Sequence, residues 1–573
     1  MFEITVNNRK IEAEPGETIL SALTRAGIRI PTLCHMKNLM STGACRICMV
    51  ELKNGGLVPS CSTPVQNGMV LFTNSPRVIE ARKVIIELLL ADHPDDCLYC
   101  VKNGSCKLQK FAQEYGIRER LFMPKRRENS LDVTSPAIVF DQSKCILCGK
   151  CVRTCSEIQK VSAIGFTGRG SSMRVAPAFH DSLNVSSCIC CGQCILACPT
   201  GALREKSSLS EVVAALGDPD RVVVIQHAPS VSVSLAEEFG MKPGTDISGV
   251  MTGALRRLGF RYVFDTSCAA DLAVMEEATE LASRLRNHGT LPMFTSCSPG
   301  WIKFVEEFYP EFIPNLSSCK SPQSMLGALI KTYFAEKNKI DPDRIFSVSV
   351  MPCTAKKFEA GRPEIGQGGR ADLDAVLTTR ELARLIRMRG IDVELLEPEE
   401  ADLPFGERSS AGKLFGTTGG VMEATLRTLH KMLTGKELKS LRLDQVRGME
   451  GIRESKWKIG GQDLGIAVVN GVGNARALLE QLQAGRHDLQ YIEVMTCPGG
   501  CVAGGGQPFA PEEQDRIRAR MNSLYLIDQT DSLRTAHENP AVQKLYREYL
   551  KKPGSEIARN LLHTTYTKRD VPV

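Results

Sequence analysis

Between residues 145 and 199 the chain writes one spacing twice: Cys145-x2-Cys148-x2-Cys151-x3-Cys155 and Cys188-x2-Cys191-x2-Cys194-x3-Cys198-Pro199. This pattern constrains the fold more than any other stretch, because it presents thiolates to two cubic [4Fe–4S] clusters. In two-cluster ferredoxins the fourth cysteine of each run serves the other cube. The expected sets are therefore Cys145, Cys148, Cys151 with Cys198, and Cys188, Cys191, Cys194 with Cys155. Cys190 falls out of register and is expected to be a spectator thiol. With 22 cysteines in 573 residues, disulfides and zinc must also be weighed. The start, Met1-Phe2-Glu3-Ile4-Thr5-Val6, is strand-like and lacks a charged-then-apolar leader, so tight C-x-x-C clustering argues for metal. The number and order of the groups favour iron–sulfur over zinc.

Upstream, two more cysteine groups precede these runs. Residues 1–78 begin with a hairpin expected to turn at Asn7-Asn8, followed by a helix from about Thr18 to Ala26. Then come Cys34, Cys45, Cys48 and Cys61, which resemble the plant-type [2Fe–2S] ferredoxin arrangement with a longer first gap. Gly43 and Ala44 beside the tight pair would let backbone N–H groups point at sulfur. Residues 79–125 hold a helical stretch, Val78 to Ala91, and then His93, Cys97, Cys100 and Cys106. Three cysteines leave a cube one ligand short, and His93 is the candidate that completes it.

The totals bound the rest. A chain of this length suggests about four domains. Net charge of +6 is mild for 573 residues and gives no reason to expect nucleic acid. No run of about 18 apolar residues offers a membrane span, so a soluble, cytoplasmic protein is expected. A basic linker, Pro124-Lys125-Arg126-Arg127, leads into the two-cluster unit at 126–208. From 209 to 573 the texture changes: Arg221-Val222-Val223-Val224-Ile225-Gln226 and Ile466-Ala467-Val468-Val469 read as buried strands among helical patterns, which predicts an α/β domain. Gly471-Val472-Gly473-Asn474-Ala475-Arg476 follows a strand and raises the question of a dinucleotide site. Arg476 replaces the third glycine, so a plain strand-to-helix turn is expected.

Three loops in this last part carry four further cysteines. They are Thr295-Ser296-Cys297-Ser298-Pro299-Gly300-Trp301, Met351-Pro352-Cys353-Thr354-Ala355-Lys356-Lys357-Phe358-Glu359, and Glu493-Val494-Met495-Thr496-Cys497-Pro498-Gly499-Gly500-Cys501. The last two directly follow β-rich runs, where reactive groups of open α/β sheets tend to sit. With these motifs in order, the chain resembles the catalytic subunit of [FeFe]-hydrogenases over nearly its whole length. The fold this implies is α+β/α/β multidomain: a β-grasp ferredoxin-like domain, a small helical domain whose cluster takes one histidine and three cysteines, a bacterial two-cluster ferredoxin domain and an α/β H-cluster domain. The cofactors implied are one [2Fe–2S] cluster, three accessory [4Fe–4S] clusters and the H-cluster, a cube joined through a cysteine sulfur to a two-iron unit carrying CO, CN⁻ and azadithiolate.

The resemblance assigns roles residue by residue. Cys353, Cys497 and Cys501 match ligands of the cube, with Cys501 as the bridging thiolate. The fourth ligand is where this chain departs, because the family's adjacent cysteine pair is Cys297-Ser298 here. Cys297 takes the proton-relay position and Ser298 the ligand position, and an alkoxide suits iron–sulfur iron far less than a thiolate. Three repairs stay open: Cys297 ligates after a one-residue shift, which ligand softness favours; Ser298 ligates; or Cys319 contributes. From spacing alone, Glu277, Glu280 and Arg284 read as one solvated helix face within Asp271 to Arg286. The resemblance makes them, with Ser317, a proton relay, which requires burial to raise a carboxyl pKa. Lys356 matches a lysine that holds one cyanide, and Ala228, Pro229 and Ser230 match the segment that clamps the other. Gln323, Met351, Phe415 and Met495 match the walls of the two-iron unit, although the apolar ones could equally be ordinary core.

The implied activity is H₂ ⇌ 2H⁺ + 2e⁻, with electrons relayed through the accessory clusters. The competing readings are a non-catalytic electron-transfer subunit like that of respiratory complex I, an iron–sulfur assembly scaffold, and an H₂-sensing relative suggested by Ser298. The tail Leu561-Leu562-His563-Thr564-Thr565-Tyr566 is similar to the small-subunit ending of split family members. The Cys297-Ser298 loop with Cys319 looks like that of catalytic chains in electron-bifurcating, NAD(P)-linked complexes of anaerobes. The expected partners are therefore ferredoxin, flavin- and NAD(P)-binding iron–sulfur subunits, and H-cluster maturation proteins.

Overall fold

The computed structural model of the chain describes residues 1–37, 39–122, 131–509 and 513–571. The Pro124–Arg127 linker lies outside these residues.

At the N-terminus the strands Phe2–Val6 and Arg9–Ala13 pair antiparallel. Asn7 and Asn8 both have positive φ (48° and 69°), the backbone that a right-twisted two-residue hairpin demands. The hairpin joins a five-stranded sheet in which Phe2–Val6 runs parallel to Val70–Phe72. The helix Ile19–Arg25 packs its Ile19, Leu20 and Leu23 under this sheet, with Thr18 Oγ1 capping Ser21 N–H at 3.2 Å. A longer helix, Pro76–Ala91, follows; Ser75 caps it and Pro76 fixes its first turn.

The two-cluster unit is organised by a small sheet of Leu131–Asp132, Ile138–Asp141 and Leu203–Glu205. Each cysteine run enters a short helix, Lys150–Arg153 or Gln193–Ala197, through a left-handed glycine. At Gly192 (φ 70°) the absence of a side chain matters twice, since a Cβ there would stand 2.4 Å from Thr354 Oγ1 and 3.1 Å from Gly505 Cα. The ferredoxin unit meets the C-terminal part at this point.

Two four-stranded sheets build that C-terminal part. One is wholly parallel and orders Tyr262–Asp265, Val222–His227, Ile345–Met351 and Ala375–Thr378. Its strands are buried on both faces, hence their continuous Val/Ile character. The other orders Met293–Phe294, Tyr491–Met495, Gln462–Asn470 and Ile452–Ile459, parallel except for its last pair. All three cysteine loops leave the C-terminal ends of strands: Cys353 from the first sheet, Cys297 and the Cys497–Cys501 pair from the second. The site thus sits between two sheet ends. The strand before Cys297 is only two residues long, too short to show alternation in the sequence.

The helix expected from Asp271 begins earlier and spans Thr266–Arg286, because Asp265 caps it directly off a strand by accepting Ser267 N–H at 2.8 Å. The stretch at Gly471 is a strand-to-helix turn packed against protein: a Cβ on Gly473 would lie 2.0 Å from the Ile158 carbonyl, and Arg476 stacks over Phe304, Phe308 and Tyr309. No helix among the described residues is long and apolar enough to cross a membrane.

Candidate active site and electron path

Four groups of thiols precede the C-terminal sheets along the chain. In the first, Cys34 contacts Cys45 and Cys61, and Cys48 contacts Cys61. In the second, Cys106 lies within electrostatic reach of Cys97 and Cys100. His93 is buried beside them; its Nδ1 lies 3.1 Å from the Pro94 carbonyl, and Nε2 finds no partner among the described residues. Such an orphaned ring nitrogen is costly unless it has a use, and it suits a fourth ligand. Arg120 donates to the His93 carbonyl and holds the loop.

The ferredoxin runs converge in the crossed manner. One cavity is lined by Cys145, Cys148, Cys151 and Cys198, the other by Cys155, Cys188, Cys191 and Cys194. Cys190 instead packs in the adjoining core, its thiol 4.0 Å from Ser135 Oγ. Successive groups approach one another along the path. A Cβ on Gly201 would come within 2.5 Å of Cys100 Sγ, and the Cys194 thiol feels the charge of Cys151. Cys191 in turn feels Cys353, and Cys497 feels both Cys353 and Cys191. The donor sets fit iron–sulfur clusters: soft thiols in groups of four, or three with an imidazole, around small apolar cavities.

At the strand ends Cys353, Cys497 and Cys501 gather, and burial pushes the Cys501 thiol up to about 12. Lys356 is buried rather than an exposed salt-bridging lysine: its Nζ donates to Glu359 Oε2 at 2.8 Å and to the Cys297 carbonyl at 3.2 Å. Ser230 is fully buried, and its Oγ has no partner among the described residues. Its neighbours Ala228 and Pro229 are buried too. Gln323 is held by Ser349 (2.8 Å) and Glu359 (3.1 Å). Phe415 and Met495 pack in the same core as Cys297, while Met351 packs in the adjacent one with Ala228. An unpartnered hydroxyl, a buried ammonium and a sulfur-rich wall fit a two-iron unit with polar diatomic ligands.

The two residues of the altered pair diverge. Ser298 heads the Pro299–Phe308 helix, and its Oγ lies 2.7 Å from Thr496 Oγ1, next to Cys497. The Cys297 thiol is raised first by burial and then by the charge of Glu277, ahead of Cys501. Cys319 is set apart from Cys353, Cys497 and Cys501; it lies with Glu280 and His563.

Glu277 and Glu280 share a helix face that is not solvated. Glu277 is 2 % exposed, its Oε1 has no partner among the described residues, and burial with the charges of Glu280 and Glu493 pushes its pKa well above the usual range. Ser317 Oγ donates to Glu280 Oε2 at 2.9 Å, and Arg284 donates to Glu280 Oε1 at 2.6 Å. Arg284 also bonds the carbonyls of Thr290, Pro314, Asn315 and Leu316, which pins it at the rim. The sequence reading passed over Glu493, a fully buried carboxyl whose pKa burial lifts to about 7 while Gly419 and Met422 N–H groups bond it. Its signal was available: a lone acid in the apolar strand Tyr491–Met495.

Similar proteins decide the family. The chain is 45% identical to the NADP-reducing hydrogenase subunit HndD of Solidesulfovibrio fructosivorans, covering 99% of both chains. It is 40% identical to iron hydrogenase 1 of Clostridium pasteurianum, over 99% of this chain and 100% of that one. The chain belongs to the [FeFe]-hydrogenase family. A solved variant of apo [FeFe]-hydrogenase HydA1 from Chlamydomonas reinhardtii superposes with a TM-score of 0.58 at 42% identity, covering 63% of this chain and 99% of that one. The family profile for the iron-only hydrogenase large subunit, C-terminal domain, matches residues 221–505, and that for the iron hydrogenase small subunit matches 514–569. A 2Fe-2S cluster binding domain matches 1–76, an NADH-ubiquinone oxidoreductase-G iron–sulfur binding region 82–120, and an NADH-quinone oxidoreductase subunit 3 ferredoxin-like domain 135–204. The protein is therefore a hydrogenase with accessory [2Fe–2S] and [4Fe–4S] domains joined to an H-cluster domain. The split tail resemblance is borne out, and a non-catalytic wiring subunit is not what this chain is.

Proposed function

We propose that this hydrogenase is the catalytic chain of a cytoplasmic, NAD(P)-linked complex, and that its four units fall at 1–78, 79–125, 126–208 and 209–573. The H-cluster, when bound, supplies reversible heterolytic cleavage of H₂. Cys353, Cys497 and Cys501 would hold its cube, with Ser298 Oγ at the fourth corner. Lys356 and Ser230 would donate to its polar ligands, and Met351, Met495, Phe415 and Gln323 would exclude water.

Cys297 then serves as the proton-passing thiol. The observation that carries this reading is Glu277: a sealed carboxyl whose burial disfavours the charged form, with one unpartnered oxygen, acting electrostatically on the Cys297 thiol and acted on by Glu280 of the Ser317–Glu280–Arg284 chain. A carboxyl in that state can accept a proton from the thiol side as it gives one up toward Ser317. Electrons would leave by the thiol groups in the order of their contacts, from Cys353 and Cys497 to Cys191 and outward.

The partner reading rests on the HndD likeness and on the lack of a nucleotide cradle at Gly471. Flavin-containing, NAD(P)-binding subunits would take the electrons, with ferredoxin as a second acceptor, and maturation proteins would deliver the two-iron unit. Anaerobic purification tests it. A flavin-containing subunit should co-purify, and H₂-dependent NAD(P)⁺ reduction should require it. The isolated chain reducing ferredoxin at full rate with no partner would overturn the complex.

A further inference from the structure

The C-terminal tail reaches the same glutamate from the other side. Residues 318–320 and 562–564 are clipped together: Thr564 N–H donates to the Ser318 carbonyl and Lys320 N–H to the Leu562 carbonyl, both at 2.8 Å, and Cys319 bridges to His563. The clip presents the His563 ring to a continuous set of polar atoms. Its Nδ1 lies 2.8 Å from Ser318 Oγ, which donates to Glu280 Oε2 at 3.2 Å. Its Nε2 lies 3.1 Å from Glu276 Oε2. Glu276 is 1 % exposed and is itself fixed by the Tyr546 hydroxyl (2.6 Å) and Gly554 N–H (2.8 Å). None of these bonds is needed to hold Glu280, which Ser317, Arg284 and Ser318 N–H already bind.

We propose that His563 is a second proton port of the enzyme, acting through Ser318 and Glu280 in parallel with the Arg284 rim. The inference rests on the relay reading given above. With Glu276 holding Nε2–H, the ring tautomer and orientation are set so that Nδ1 faces Ser318. In the direction of H₂ formation, the imidazolium passes its Nδ1 proton to Ser318 Oγ as the Ser318 hydroxyl proton moves to Glu280 Oε2. Imidazolium and carboxylate become imidazole and carboxylic acid, no electron moves, and H₂ oxidation runs the step backward. The side chain of His563 is 13% exposed, whereas that of Glu276 is sealed, so of this pair it is the ring that can exchange a proton with solvent. Imidazole is also the side chain whose ordinary pKa lies nearest neutrality. The titratable and charged groups facing it are Glu276 and Glu280 from the long helix, Cys319 beside Ser318, Tyr546 behind Glu276 and Arg284 behind Glu280. The trio of Glu280, Cys319 and His563 has the look of a cation site, with ligand atoms within 4.8 Å of one another. Arg284 already occupies one Glu280 oxygen, and both ring nitrogens are partnered, which favours proton passage over a metal.

The test uses matured enzyme evolving H₂ from a reduced dye. His563→Ala should lower turnover several-fold, and added imidazole should restore it. Ser318→Ala should give a similar loss that imidazole leaves untouched, because the hydroxyl link is gone. Independently of turnover, nitrogen NMR of histidine-labelled enzyme, with His563 assigned by its loss in the alanine variant, should show its Nδ1 resonance shifting when Ser318→Ala removes the hydroxyl 2.8 Å away. Full turnover in both His563→Ala and Ser318→Ala, or a His563→Ala loss that imidazole does not restore, overturns the port. If Glu280→Gln is inactive while both variants run at full speed, only the histidine branch fails. If Glu280→Gln itself keeps full turnover, the relay reading fails with it.

Discussion

At the scale of single residues, the pair Cys297-Ser298 is where the chain's chemistry is decided. Softness of ligand alone favours Cys297 on iron, but Glu277 is the charge that acts most on its thiol, while Ser298 bonds Thr496 beside Cys497. Cys297→Ala should therefore lower turnover by about 10²-fold or more, the usual worth of a positioned proton carrier, while leaving the H-cluster's infrared bands in place. Ser298→Cys should keep those bands and shift the cube's reduction potential, since a thiolate replaces a harder oxygen donor. A Ser298→Cys enzyme with an unchanged potential would remove Ser298 from the cube. Residue spacing made the Cys and His sets readable, because cluster ligation is written in short intervals. It could not make Glu277 readable as buried: three-residue spacing puts Glu277 and Glu280 on one face but says nothing about what covers it. That cover comes from distant segments, among them the strand carrying Glu493 and the loop at Ser317, and Glu493 went unread for the same reason.

At the scale of elements, one helix and two sheet ends do the positioning. Thr266–Arg286 carries both relay glutamates and is gripped along its length by Gly420–Thr434 and Pro322–Leu329. The tail is tied to this assembly by a buried charge network. Arg427 donates to Asp528 at 2.8 Å and 2.9 Å and to Glu423 at 2.7 Å, all three side chains being fully buried. Arg427→Met leaves two buried carboxylates with less compensation and should cost about 3–5 kcal/mol, read as a lower unfolding temperature of the C-terminal part. Burial opposes ionisation of Asp528, yet Arg427, helped by Ser410 and Arg534, outweighs it and holds the pKa at about 2. The stability this contributes is complete above the unfolded carboxyl pKa of roughly 4 and fades as pH falls toward 2, and Arg427→Met should flatten that fade. The apolar strands and the long helix were legible as periodic runs. The two-residue strand before Cys297 was not, and the start of the long helix was misplaced because Asp265 caps it without any intervening turn.

At the scale of the whole molecule, the chain is a conduit with one catalytic end. Close approaches run from the His93 group through the two crossed ferredoxin sets to Cys353 and Cys497, and Cys45 and Cys106 pack against one shared apolar core. Breaking the conduit should separate two activities. His93→Ala should remove one cluster's iron and slow electron delivery to the natural acceptor, while leaving the infrared bands of the H-cluster domain untouched. Equal iron content in His93→Ala and the parent would show that His93 is no ligand. The architecture was legible because each unit carries its own cysteine signature; the route between units depended on close approaches such as Gly192 on Gly505, which no linear spacing encodes. The central claim is that Cys353, Cys497 and Cys501 meet at one buried iron centre with Cys297 as its proton carrier rather than its ligand. Infrared spectroscopy of the matured protein beside Cys297→Ala tests it most directly. The account predicts iron-bound CO and CN⁻ bands in both proteins; their absence from the matured parent, or their loss in Cys297→Ala alone, would contradict it.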